Sequence, residues 1–349
     1  MPLFATFVDN FSRSKGYPSV NSLIIMKITT NPDNWYAIVN SFAASSKAAS
    51  LWCRAEDRLR ADEIPFDVCF TGKSGNTTSL TFCACSNGCR KLIAVGGDGT
   101  IHDVLDGIMS FIEKNDSVSL EDFTLAVIPV GSGNDWIKTA GVPKDIVKAA
   151  ALLKRGRVSR QDVVKVTLLD PAALPEEKPA AVSYMANVGG IGLDARVCER
   201  VNAAKKQGRR GKVLYVTALL YNIIHRSALS ARVICDGTEI FAGPYLSMAF
   251  GIGKYSGGGM RQTPGAVPDD GLLDMTIIPD LPLMKIAKEA PKLFDGRFLS
   301  VPELVTSKSK SILVLPQGDM APVEVDGEVI GPVPVRFEVL EQQLNIVIP

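Results

Sequence analysis

Residues 92–101, LIAVGGDGTI, set Gly96, Gly97 and Gly99 around Asp98 and follow them with Thr100 and Ile101. An aliphatic run of strand type precedes the glycines. Ile101, Val104, Leu105, Ile108 and Ile112 follow at helical spacing, so the glycines occupy a strand-to-helix turn. The start of a helix presents backbone N–H groups and the positive end of its dipole, and residues without Cβ let an anion come close. Phosphate chemistry is therefore the natural reading. The spacing is neither G-x-G-x-x-G nor that of a Walker loop, which would continue with a lysine. The Asp98 carboxylate would repel a bare phosphate, which calls for a metal ion or metal-bound water between them. A plain tight turn in an α/β domain is the alternative reading of these five residues.

A second glycine turn, PVGSGNDWIKTAG, begins about thirty residues later. Ser132 can bond a phosphate or ribose oxygen, and Asp135 can share a metal-water cluster with Asp98. The same residues also suit a turn that caps the next helix. Near the C-terminus, VEVDGEV places Glu328 directly after an Asp-Gly pair, and on its own this reads as a hairpin. Cys83, Cys85 and Cys89 resemble metal ligands in number. With only two histidines in the chain and no second cysteine pair at zinc spacing, they read as small packing thiols.

These residues need elements to hold them. The chain has 349 residues, 46% hydrophobic and 21% charged, which suits two soluble globular domains. Its net charge of +1 gives no sign of a nucleic-acid partner. Seven cysteines scattered through periodic segments suit a reducing cytoplasm. No apolar run reaches the roughly 18 residues that span a bilayer, and VLYVTALLYNII reads as a buried helix. Residues 1–25 lack periodicity and are expected to be a non-native or disordered extension ahead of a natural start at Met26.

From residue 26 to 155 strands alternate with helices, which predicts a mainly parallel, Rossmann-like sheet with its ligand at the carboxyl ends of the strands. A helix from Pro143 to Arg155 closes that half. Residues 156–349 read as an antiparallel β-sandwich or barrel, with its last residues packing back on the first domain. Within it, DPAALPEEKPAA reads as a loop and SYMANVGG as a strand.

Four segments in this order, GGDGTIHDVLDGI, PVGSGNDW, YSGGGMRQTPGAVPDDGLLDM and VEVDGEVIG, resemble the diacylglycerol kinase catalytic family, in particular its bacterial soluble lipid kinases, which are related to sphingosine and ceramide kinases. The resemblance runs from about residue 35 to the C-terminus. It implies a nucleotide domain and a lipid-binding β-sandwich domain enclosing a cleft, with ATP giving its γ-phosphoryl group to a lipid hydroxyl. It implies that Asn40, Thr71, Gly96, Gly97, Asp98, Gly99, Thr100, Ile101, His102, Ser132 and Asp135 serve the nucleotide. It further implies Glu328 as proton acceptor, and a structural Mg²⁺ on the Asp270 carboxylate and the carbonyls of Val267 and Leu272.

Two departures stand out. Ser41 follows Asn40 where the family has proline, leaving nearby serines and Lys47 as substitutes, and His102 and Asp103 replace the usual Asn and Glu. A soluble nucleotide kinase of the NAD kinase type and a non-catalytic nucleotide or lipid sensor are the rival functions. Lys205, Lys206, Arg209, Arg210 and Lys212 form the densest basic cluster. They suggest peripheral contact with an anionic membrane, against the plain reading of a solvated loop. A homodimer is left open.

Overall fold

The computed structural model describes residues 31–349 apart from 32, 44–47, 73–75, 132, 174–175, 207–211 and 226–228. The proposed extension at 1–25 lies outside the described residues. The chain divides into two compact units, one reaching Gln161 and taking back Gln342–Pro349, the other comprising Asp162–Glu341.

The first unit is built on a six-stranded sheet in the order β2-β1-β3-β4-β17-β5. The strands are Trp35–Val39 (β1), Phe66–Phe70 (β2), Lys91–Gly96 (β3), Thr124–Pro129 (β4), Arg157–Gln161 (β5) and Leu344–Ile348 (β17). All neighbours run parallel except β5, which pairs antiparallel with β17. Strands buried on both faces read as unbroken aliphatic runs, as LIAV and LAVIP do. Helices α1 (Ala48–Ala61), α2 (Thr77–Ser86) and α3 (Asp98–Ile112) supply the crossovers. Ala48, Trp52, Ala55 and Leu59 bury the inner face of α1 against Val39, Ile93 and Ile128. Fully burying a side chain of this kind contributes about 1.5–3 kcal/mol.

A short helix α4 (Trp136–Ala140) follows β4, and Gly141 ends it in the left-handed region at φ 73°. Helix α5 spans Ile146–Arg155. It starts three residues later than Pro143 because the Asp145 side chain accepts the Lys148 N–H, a capping bond that fixes the first turn. Cys85 and Cys89 are buried as packing thiols, whereas Cys83 is exposed.

The second unit carries an eleven-stranded antiparallel sheet in the order β15-β14-β8-β10-β9-β13-β16-β6-β7, with β11 pairing to β10 and β12. Its strands are β6 (Val164–Leu169), β7 (Pro179–Met185), β8 (Val188–Gly192), β9 (Leu229–Cys235), β10 (Thr238–Gly251), β11 (Leu273–Pro279), β12 (Val305–Ser309), β13 (Ser311–Pro316), β14 (Pro322–Val325), β15 (Glu328–Pro332) and β16 (Val335–Val339). Phe250 and Phe337 stack at 4.3 Å in its core, among Met248, Val314 and Val335.

Four helices interrupt the β pattern: α6 (Leu193–Lys206), α7 (Lys212–Ile224), α8 (Leu283–Glu289) and α9 (Lys292–Asp295). Three expectations need correction here. SYMANVGG is two strands and not one, because the chain breaks at Ala186 and Asn187, whose N–H groups serve a side chain from elsewhere. Strand β7 begins at Pro179, inside the stretch read as a loop. Helix α7 is not buried: Ala218 packs inward, but Leu220, Tyr221 and Ile224 are 54%, 43% and 65% exposed.

Candidate functional site

In the first unit, four sequence-predicted segments meet along one edge of the sheet. Asn40 follows β1, Thr71 follows β2, the GGDGT turn ends β3 and the GSGND turn follows β4, and these strands are neighbours in the order β2-β1-β3-β4. Parallel register puts Gly96 opposite Pro129, so the two glycine turns leave the sheet side by side. Because β1 lies between β2 and β3, the strand order reverses there. Such a switch point opens a crevice at the carboxyl ends.

Asn40 Nδ2 donates to Thr100 Oγ1 at 2.9 Å across that point, and Asn40 Oδ1 accepts the Phe42 N–H at 3.1 Å. The Ser41 N–H donates to Thr71 Oγ1 at 3.1 Å. A proline at 41 has no N–H to offer, so the departure from the family pattern adds a bond between the first two strand ends.

The two glycine turns touch backbone to backbone. A Cβ on Gly131 would lie 2.5 Å from Gly97 Cα, and Asn134, held at φ 50°, closes the second turn through Nδ2 to the Gly131 carbonyl at 2.8 Å. Asp98 joins them, since its Oδ1 accepts the Trp136 N–H at 3.0 Å and caps α4. Asp135 is buried and pairs with Lys138. His102 is also buried, with Nε2 3.4 Å from Asp106 on the same helix. Ile101 belongs to the core, which anchors the first turn of α3. Ser132 and Lys47 lie outside the described residues. The N-terminus of α3, flanked by glycines 96, 97 and 99, offers N–H groups and a positive dipole end to an anion.

In the second unit, Glu328 opens β15 and is exposed. The turn before it has Asp326 at φ 51° and Gly327 at φ 90°, the left-handed pair that a tight two-residue hairpin requires. Sequence reasoning read the hairpin but missed what holds it. The Asp326 carboxylate accepts the N–H groups of Ala186, Asn187 and Val188 at 2.8, 2.9 and 3.2 Å, and only 7% of the residue is exposed. Glu324 Oε2 accepts the Gly327 N–H at 2.8 Å. From α6, Asn202 Nδ2 donates to the Gly327 carbonyl at 3.0 Å and approaches Glu328 Oε2 at 3.4 Å. Cys198 Sγ donates to the same carbonyl at 2.7 Å. A glutamate held over so fixed a turn can receive a proton from a hydroxyl brought within hydrogen-bond reach.

Asp194, at the start of α6, accepts from Ser247 Oγ at 2.6 Å and Gln262 Nε2 at 2.7 Å. Burial raises its carboxyl above the ordinary aspartate range, and those two bonds oppose the rise. Asn187 ties the YSGGG loop nearby, its Nδ2 donating to the Tyr255 carbonyl at 2.9 Å.

The loop expected to hold a structural cation already holds one from the chain. Asp270 Oδ1 accepts the Leu272 N–H at 3.1 Å, and its Oδ2 lies 3.6 Å from the Lys308 ammonium. Val267 is 41% exposed. An ammonium beside the one implied carboxylate ligand repels a divalent ion, so this donor set does not fit the implied Mg²⁺.

Residues 34–166 match the diacylglycerol kinase catalytic domain, and residues 187–348 match the YegS C-terminal NAD kinase beta sandwich-like domain. A protein named diacylglycerol kinase from Mycobacterium tuberculosis is 24% identical over 314 residues, 90% of this chain and 94% of that one. One from Stenotrophomonas maltophilia, named "Probable lipid kinase YegS-like", is 24% identical over 316 residues, covering 90% and 96%. A crystal structure of a diacylglycerol kinase from Bacillus anthracis superposes with a TM-score of 0.65 at 20% identity, covering 92% of this chain and 98% of that one.

Proposed function

We propose that the chain, which matches the diacylglycerol kinase catalytic domain and then the YegS C-terminal domain, is a member of that kinase family and transfers the γ-phosphoryl group of MgATP to the hydroxyl of a lipid, diacylglycerol or a related one. The observation that carries the reading is the pair of glycine turns locked together by Asp98 at the switch point of the parallel sheet. Phosphoryl transfer asks the protein mainly for positioning and charge neutralisation, which such an edge supplies. Gly96, Gly97, Gly99 and the first turn of α3 receive the phosphates. Asp98 would orient the Mg²⁺ that arrives with the nucleotide, Asp135 being already paired with Lys138, while Asn40, Thr71 and Thr100 fix the strand ends beside it.

Glu328 takes the proton from the lipid hydroxyl as its oxygen bonds the γ-phosphorus and the bond to the ADP oxygen breaks. Asn202 and Cys198 set the height of that glutamate by gripping the Gly327 carbonyl. A lipid acceptor is supported by the exposed apolar residues of α7, beside an open surface depression bordered by Arg200, Ala204, Leu214 and Tyr221. Arg200 lies 3.6 Å over the Tyr221 ring. The basic residues 205–212, whose side chains lie outside the described residues, would bring the protein to an anionic bilayer as a peripheral visitor from the cytoplasm. No helix among the described residues is long and apolar enough to cross it.

The test is incubation with γ-labelled ATP and a total lipid extract, with NAD in a parallel reaction. Label in an organic-soluble product identifies the acceptor class. Label in NAD alone makes the protein a soluble nucleotide kinase, and ATP binding without transfer to either makes it a sensor.

A further inference from the structure

Strands β11 and β12 pair antiparallel with Asp274 directly opposite Lys308, so backbone register delivers a lysine stem to the exit of the 265–272 loop. Its ammonium meets three oxygens there: Asp274 Oδ2 at 2.9 Å, the Gly265 carbonyl at 3.0 Å and Asp270 Oδ2 at 3.6 Å. The Gly265 carbonyl accepts a hydrogen bond from the ammonium, and the two carboxylates form ion pairs with it. Two carboxylates and a carbonyl are also what a hard divalent ion would choose, and Lys308 stands among them.

We propose that Lys308 is the resident cation of this loop, a tethered ammonium doing the structural work that the family resemblance assigns to Mg²⁺. Two further bonds make a metal unnecessary for holding the loop. The Asp162 N–H donates to the Pro268 carbonyl at 2.7 Å, and Asp162 Oδ2 accepts the Gly271 N–H at 2.8 Å. Strand pairing tethers this lysine at the site, whereas Mg²⁺ gives up its water reluctantly.

The test needs neither nucleotide nor substrate, so its outcome is separate from that of the kinase reading. The full chain and its Lys308→Met variant are melted in EDTA and in Mg²⁺, and metal content is measured after desalting. Three results support the proposal together: a parent melting point that is the same in both buffers, less than about one-tenth of a metal ion per chain, and a variant that melts several degrees lower in EDTA. A parent that retains about one ion per chain, or that loses several degrees in EDTA, overturns it. A variant as stable as the parent in EDTA overturns it equally. A variant that does not fold in either buffer is the extreme form of the third result, and the two measurements on the parent then complete the test.

Discussion

Replacing Asp326 by Asn keeps the shape of the side chain and its tolerance of φ 51°, but removes a carboxylate that serves three buried N–H groups. One amide oxygen can still accept from Asn187 and Val188, which share Oδ1. The amide NH₂ then faces the Ala186 N–H, whose bond to Oδ2 is the shortest of the three at 2.8 Å. A hydrogen bond to a charged group is worth about 1.5–3 kcal/mol and a neutral one about 1 kcal/mol. Losing the first and weakening the other two costs about 3 kcal/mol locally, equivalent to roughly 150-fold in the opening equilibrium. Hydrogen exchange on peptides covering residues 184–192 reads this directly, because exchange reports local opening. Turnover should fall as well, since Glu328 stands two residues on. Asp236 is the internal control. It occupies a like turn at φ 46° and accepts the Ser311 N–H at 2.8 Å, but it is exposed and lies on another hairpin. Asp236→Asn should leave exchange at 184–192 untouched. Protection in Asp326→Asn within threefold of the parent would refute the view that this carboxylate holds the turn.

Glu328→Gln should lower turnover by roughly 10²- to 10⁴-fold while ATP binding persists, as a proton acceptor is removed at constant shape; a rate within threefold of the parent counts against that role. Asp98→Asn can still accept the Trp136 N–H and so keeps the cap on α4, which leaves loss of charge as the main change. MgATP affinity should then drop with the melting point almost unmoved, and unchanged affinity at saturating Mg²⁺ would sink the assignment. The raised carboxyl of Asp194 means the folded state holds its proton more tightly than the unfolded chain. Its contribution to stability is therefore complete below the ordinary aspartate pKa and is lost as pH rises through the raised one. Urea midpoints across that window should fall less steeply for Asp194→Asn than for the parent, and parallel slopes would contradict the shift.

Much of this protein is legible in one dimension. The aliphatic runs of β1 to β4, the helical spacing after Gly99 and the glycine turns are local patterns. Local sterics and burial impose them, so they can be read without knowing the partner. The Asp-Gly pair before Glu328 belongs to the same class, because only a few residues accept the left-handed backbone that a tight hairpin demands. Which surface a pattern faces is a different kind of information. Periodicity marks α7 as amphipathic or apolar but does not say what covers it, and Leu220, Tyr221 and Ile224 are left exposed. Alternating residues from Ser183 to Gly190 look like one strand until Asp326, some 140 positions later, takes three of their N–H groups. Asn202 reaches Gly327 from a helix 125 residues away, and Lys308 reaches Asp274 only because strand pairing sets them opposite each other. Sequence decides which local conformations are cheap. The choice of which donor meets which acceptor across a hundred residues is made by the closing of the chain, and in this protein it decides what grips the Glu328 turn and what cation holds the 265–272 loop.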